Sequence, residues 1–89
     1  MEDDRIDSLA PKPPYRQIAD ILRRRIESGQ YPPHTRIPTE SELVETFEVA
    51  RTTARRAVGA LRDEGLVYTV PQRGTYVADR SGVANGQQQ

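Results

Sequence analysis

Cysteine and tryptophan are absent from the 89 residues, and histidine, phenylalanine, methionine and lysine occur once each. The first absence excludes disulfides and thiol chemistry. With His34 as the only imidazole, a zinc site would need three or more carboxylate or water ligands around one nitrogen, so neither metal nor cofactor is expected. No apolar run approaches the roughly 20 residues that span a bilayer. The start, Met1-Glu2-Asp3-Asp4, is acidic where a secretory leader is basic and then apolar. A soluble, cytoplasmic protein with no membrane partner is expected. No phosphate-binding glycine loop, nucleophile motif or acid and base paired in a cleft is recognisable, which argues against an enzyme. A chain of this length buries only about 60% of the surface its unfolded form exposes, enough for one core and not for two.

Thirteen basic and thirteen acidic side chains give a formal net charge of zero, where a phosphate-binding protein usually carries a basic excess. The average conceals a segregation. Residues 49–62 hold Arg51, Arg55, Arg56 and Arg62 and no acid, whereas 1–14 hold four acids against Arg5 and Lys12. Fields act over about one Debye length, roughly 10 Å at 0.1 M salt, so a basic patch can exist on a neutral molecule. Twelve of the thirteen basic residues are arginine, whose planar fork pairs with phosphate and guanine. Codon usage in a GC-rich genome would produce the same bias.

Residues 1–14 are acidic and proline-rich, without an apolar period, and are expected to form a disordered arm dispensable for folding. Residues 79–89, rich in Gly, Asn and Gln, are expected to be a disordered polar tail. The folded domain is placed at 15–78. In it Ile18, Ile21, Leu22 and Ile26 recur at helical spacing after Pro13 and Pro14, predicting a helix over 15–28 stopped by Gly29. Thr39-Glu40-Ser41-Glu42 matches a capping box and opens a short second helix. A new stripe of Ala54, Ala57, Val58 and Leu61 predicts a third helix over 51–64, ended by Gly65. Alternation then predicts a hairpin, with Leu66, Tyr68 and Val70 on one side of Val67 and Thr69, a turn at Pro71-Gln72-Arg73-Gly74, and a second strand at Thr75-Tyr76-Val77. The fold class is mainly α with a small β-hairpin: a three-helix winged helix-turn-helix. An unrelated α+β domain could share the same order of elements.

At 100° per residue the four apolar residues of the third helix define its core face. Arg51, Arg55 and Arg62 fall together on one flank, while Thr52, Arg56 and Gly59 lie at the back. Arg51, Thr52 and Arg55 occupy the first turns, the part of a recognition helix that reaches base edges. Arginine pairs with O6 and N7 of guanine, and threonine reaches phosphate or a thymine methyl. A solvated arginine face is the alternative.

Several segments occur together in order. They are Tyr15-Arg16-Gln17-Ile18-Ala19, Gly29 with Pro33, Arg36-Ile37-Pro38-Thr39-Glu40-Ser41-Glu42-Leu43, Val49-Ala50-Arg51-Thr52-Thr53-Ala54-Arg55-Arg56-Ala57, Gly65-Leu66-Val67 and Arg73-Gly74-Thr75-Tyr76-Val77. In this combination residues 15–78 resemble the N-terminal winged helix-turn-helix domain of the GntR family of bacterial transcription regulators. The resemblance implies sequence-specific binding of double-stranded DNA at a pseudo-palindromic operator, with repression as the expected outcome. It implies that Arg51 and Arg55 read DNA, that Thr52 and Thr53 contact backbone or bases, and that Gly74 lies at a wing tip near the minor groove. Arg56 is included in the same interface, and Arg73 is expected to meet phosphate or the minor groove.

Three departures stand out. Many members carry arginine where Ser41 stands, so a DNA contact there is expected to be weaker or to phosphate only. Glu48 replaces a common glycine of the turn, and Ala50 replaces a capping serine or threonine. Members also generally continue into a C-terminal domain that binds a metabolite and dimerises, whereas eleven residues follow Ala78. No effector pocket is therefore expected in this chain, which should be a monomer or weak homodimer that pairs on DNA. The competing function is a protein-interaction winged helix without DNA readout; arginine and threonine at the start of the third helix speak against it. His34 is expected to be an exposed loop residue, Tyr68 and Tyr76 to pack on each other, and Tyr31 to cover the edge of the core.

Overall fold

In the computed structural model, which describes residues 5–79, helices α1 (Pro14–Glu27), α2 (Glu40–Phe47) and α3 (Arg51–Asp63) precede an antiparallel hairpin of β1 (Val67–Val70) and β2 (Gly74–Val77). The expected polar tail lies outside the described residues except for Asp79. The three helices and two-stranded wing form the winged helix expected from the pattern.

Each helix begins and ends for a local reason. Pro14 enters α1 with its ring already at helical φ and without an N–H to satisfy, and Gly29, at φ +87°, turns the chain away beyond the Ser28 cap. At α2 the capping box is complete: the Glu42 amide donates to Thr39 Oγ1 (3.1 Å) and the Thr39 amide to Glu42 Oε1 (2.8 Å). The helix ends at Glu48, held in the left-handed region at φ 54°, ψ 52°. Ala50 then opens α3 with no side-chain cap, leaving orphan amides that serine or threonine would satisfy.

The α3 stripe of Ala54, Ala57, Val58 and Leu61 packs on both α1 and α2. Small alanines on this face bring the helix axes close. Ile18, Leu22, Ile37, Leu43, Leu61 and Val77 are the largest fully buried side chains, so the core joins all three helices, the α1–α2 loop and the wing.

The wing differs from expectation in two respects. Leu66 precedes the strand, bonded through its amide to the Leu61 carbonyl (3.0 Å) and buried. The inward strand positions are Val67 and Val77, which pair in register, while Tyr68 pairs with Tyr76 on the opposite face. Leu66 lies outside the strand, so two consecutive residues, 66 and 67, are buried while Tyr68 keeps its expected place across from Val67 and Thr69. The turn itself occupies 71–73, with Gln72 at φ 65°, and Gly74 is paired with Val70 at the start of β2 instead of forming the tip. Gly74 is required for two reasons: its φ is +132°, and a Cβ would lie 2.8 Å from Arg36 Cδ.

The α1–α2 loop adds a third rung to the hairpin. The His34 amide donates to the Val77 carbonyl (2.7 Å), the Val77 amide to Thr35 (2.9 Å) and the Ile37 amide to Thr75 (2.9 Å). The free edge of β2 is thereby covered.

Over 1–14, where a disordered arm is expected, the described residues make contacts with the domain. Residues 1–4 lie outside the described residues, but 5–13 lie against the domain. Gln17 Oε1 accepts from the Asp7 amide (2.8 Å), and its Nε2 donates to the carbonyls of Asp7 (2.9 Å) and Lys12 (2.7 Å). Ile6 packs on the core and lines a cleft with Phe47 and Glu48. One side-chain amide thus replaces the periodicity that would have revealed order.

Below the arm, Lys12 Nζ and Arg23 Nη1 each approach Asp20 at 2.6 Å, and Arg23 Nη2 reaches Glu64 Oε2 at 2.6 Å. This ties α1 to the C-cap of α3. Burial raises the Asp20 pKa, but hydrogen bonds and charge from Lys12 and Arg23 outweigh it, so the carboxyl sits below its ordinary value. The hydrogen bond from Arg23 lowers that of Glu64.

Candidate nucleic-acid interface

A groove runs between the N-terminus of α2, the flank of α3 and the inner face of the wing, lined among others by Ser41, Arg51, Arg55, Arg62, Thr69 and Thr75. The arginines reach it because 51, 55 and 62 share one flank of α3 while 54, 57, 58 and 61 face the core. The Thr39 cap starts α2 so that Glu40 and Ser41 open toward the same flank.

Glu40 organises the first two arginines. Its carboxylate lies 3.5 Å from Arg51 Nη1 through Oε1 and 3.5 Å from Arg55 Nε through Oε2. Arg51 Nη2 also donates to Ser41 Oγ at 3.0 Å. The two guanidiniums are half or more exposed, so each keeps donors for another acceptor. At the far end Arg62 Nη1 donates to Thr69 Oγ1 (2.9 Å), which lies 3.4 Å from Thr75 Oγ1. Glu40, Arg62 and Thr69 were not among the site residues expected from sequence. No helical spacing connects 40 with 51 across a turn, although Arg62 was already visible on the flank of 51 and 55.

The other expected residues are distributed around this groove. Thr52 is exposed and Thr53 half-buried on the first turn of α3. Gly74 reaches the groove through its backbone. Arg73 is exposed in the wing turn, its amide bonded to Val70 (3.0 Å). Arg56 is not with Arg51 and Arg55: it turns toward α1, its guanidinium 4.1 Å from the centre of the Tyr15 ring.

The aromatic residues of the wing lie on its outer face. Tyr68 and Tyr76 stack with centroids 5.9 Å apart and planes 21° apart. His34 Nδ1 is hydrogen-bonded to the Tyr68 hydroxyl (2.8 Å). Tyr31 packs at the core edge and is held by Arg25 (2.9 Å). Among the described residues no group of three His, Cys, Asp or Glu side chains could hold a metal ion, and no helix is long and apolar enough to cross a membrane.

What the groove can do is donate several charge-assisted hydrogen bonds from a convex helix, with a projecting hairpin beside it. This suits a polyanion with an edge to read better than an enclosed small molecule.

Residues 14–77 match the family described as bacterial regulatory proteins, gntR family. The histidine utilization repressor of Klebsiella aerogenes is 42% identical over 73 residues, 82% of this chain and 30% of that protein. The HTH-type transcriptional repressor NagR of Bacillus subtilis is 38% identical over 73 residues, again 82% of this chain and 30% of that protein. Among solved structures, the AraR DNA-binding domain in complex with operator ORR3 is 40% identical with a TM-score of 0.75, covering 82% of this chain and 88% of that one. The chain spans about 30% of the length of these two curated relatives.

Proposed function

The chain belongs to the gntR family of bacterial regulatory proteins, and from that membership we propose that it binds double-stranded DNA sequence-specifically for transcriptional regulation, as a repressor. In this proposal α3 enters the major groove and the wing follows the minor groove. The observation that carries it is the pairing of Arg51 and Arg55 on the first turns of α3, held 3.5 Å from one carboxylate of Glu40 and beside the wing. Support comes from relatives named as repressors and from the likeness to a DNA-binding domain in complex with its operator.

The residues divide by role. Arg51 and Arg55 read base edges, with Thr52 and Thr53 beside them. Ser41, at the start of α2, meets a phosphate, and Arg73 and the Gly74 backbone approach the minor groove. Arg56 contacts the backbone. Glu40 keeps the two readers parallel and weakens their attraction to arbitrary phosphate, since a carboxylate in the groove repels a polyanion. Two copies paired on DNA place their recognition helices about 34–36 Å apart and select a pseudo-palindromic site. We assign no enzymatic step, and the place of action is the cytoplasm, where the DNA is.

Selection from a random duplex pool tests this directly. Enrichment of a site with dyad symmetry, retarded at salt where random duplex runs free, is expected. Equal retardation of all duplexes, or of none, would sink the proposal.

A further inference from the structure

One cation beside the wing belongs neither to the wing nor to α3. Arg36, in the α1–α2 loop, is bridged to Tyr76 of β2. The loop is fastened on either side of it, by the Val77 amide to the Thr35 carbonyl (2.9 Å) and by the Ile37 amide to the Thr75 carbonyl (2.9 Å). Residues opposite each other across such a bridge share a face, so Arg36 stands with Tyr76 on the outer face of the wing. From there its stem runs toward the turn. Arg36 Cγ and Cδ lie 3.3 and 2.8 Å from where a Cβ on Gly74 would stand, and Gly74 is two residues nearer the turn than Tyr76, about 6–7 Å along the strand. The guanidinium, one bond beyond Cδ, is therefore held at the turn end of the wing, where Arg73 also sits.

The setting of this cation differs from those of the other arginines around the groove. Arg51 and Arg55 share the Glu40 carboxylate, and Arg62 is engaged by Thr69. Arg36 is exposed, and among the described residues its guanidinium has neither a hydrogen bond nor an ion pair. Arg73 rises from the exposed turn itself, whereas the Arg36 stem rests on the bare backbone of Gly74. An arginine whose stem is already laid down loses less side-chain freedom when its head is bound, which sharpens discrimination between binding sites.

We propose that Arg36 distinguishes A·T from G·C base pairs flanking each half-site, its guanidinium entering the minor groove beside the wing. This rests on the DNA-binding reading and adds to it a source of sequence preference outside α3. A·T runs narrow the minor groove and concentrate its negative potential, which draws in arginine. G·C pairs place the guanine 2-amino donor on the groove floor, where it opposes a second donor. Guanidinium is more weakly hydrated than ammonium, so it sheds water into a narrow groove more readily than lysine would.

The test uses the whole chain and the duplex it enriches from a random pool, with the base pairs outside each half-site rebuilt as A·T, G·C or inosine·C. Inosine keeps the major-groove edge of guanine and lacks its 2-amino group, so inosine·C presents the minor groove of A·T. In fluorescence anisotropy the wild-type chain is expected to bind the A·T and inosine·C duplexes alike and the G·C duplex roughly tenfold more weakly. Arg36→Met keeps a stem over Gly74 and removes the charge; it should bind all three duplexes equally. Arg36→Lys keeps the charge and should show the preference reduced to about threefold, while Arg73→Ala should retain it in full. Equal wild-type affinity for the three duplexes, a preference for A·T over inosine·C, or a full preference surviving in Arg36→Met would each overturn the assignment while leaving DNA binding intact. Failure of the wild-type chain to enrich any duplex would overturn the DNA-binding reading beneath it.

Discussion

Arg51 and Arg73 carry the same charge in different settings, and their loss should differ in kind. Arg51 is aligned by Glu40 and Ser41 on the helix proposed to read bases. Arg51→Ala should cost about 1–3 kcal/mol on the selected duplex and relax preference at one base pair, with random duplex little affected. Arg73 projects from an exposed turn, so Arg73→Ala should weaken selected and random duplexes alike and reduce the salt slope by about one unit. Anisotropy titrations of both variants on both duplexes decide the matter. Equal losses on the two duplexes for Arg51→Ala would make it a phosphate clamp and remove α3 as the reader.

At the scale of elements, the turn between α2 and α3 carries two residues poorly suited to their backbone positions. Glu48 stands at φ 54°, which disfavours a side chain by roughly 1–2 kcal/mol, and Ala50 opens α3 without a cap. Glu48→Gly and Ala50→Ser should each stabilise the domain by about 1 kcal/mol, measured as a shift in urea midpoint at constant slope. A lower midpoint for either would contradict the local strain assigned here. Both misfits were legible in the sequence, as were the three helices, because period, capping box and glycine stops are local and mutually consistent. The core face of the wing was not, since Leu66 packs before the strand begins and so is buried next to Val67 instead of sharing a face with Tyr68. Within the candidate site, the common flank of Arg51, Arg55 and Arg62 followed from the 100° step. Their meeting with Glu40 required knowing how α2 lies across α3, which is tertiary information. Arg56 does lie at the back of α3, as the 100° step places it, but its ring partner Tyr15 comes from the start of α1 and is tertiary information of the same kind.

Over the whole molecule, contacts between distant segments set stability. The arm is held by three hydrogen bonds to Gln17 and by Ile6 on the core, so deleting residues 1–10 should lower stability by about 1–2 kcal/mol. An unchanged thermal midpoint would mean the arm makes no net contribution. A second long-range tie responds to pH. Asp20 and Glu64 have lowered pKa values in the folded chain, so their contribution is full above the ordinary carboxylate values near about 4 and is lost as pH falls through the folded values. Part of that acid sensitivity should vanish in Arg23→Met, read from urea midpoints between about pH 6 and pH 3; Glu64 is exposed enough that the effect is modest. Identical acid profiles for the two proteins would remove the cluster from the account.

The bonds from His34, Thr35 and Ile37 to β2 have a mechanical consequence. Thr39 follows two residues later and caps α2, so the wing and the start of α2 are fastened to one short stretch of chain and cannot swing apart independently. The protein therefore resembles a caliper of fixed gap more than a pair of jointed fingers. A duplex whose groove widths do not match that gap must itself bend or narrow, and the energy of doing so depends on base steps the protein never touches. Stiff and pliable steps between the contacted positions would then be sorted by the rigidity of that loop.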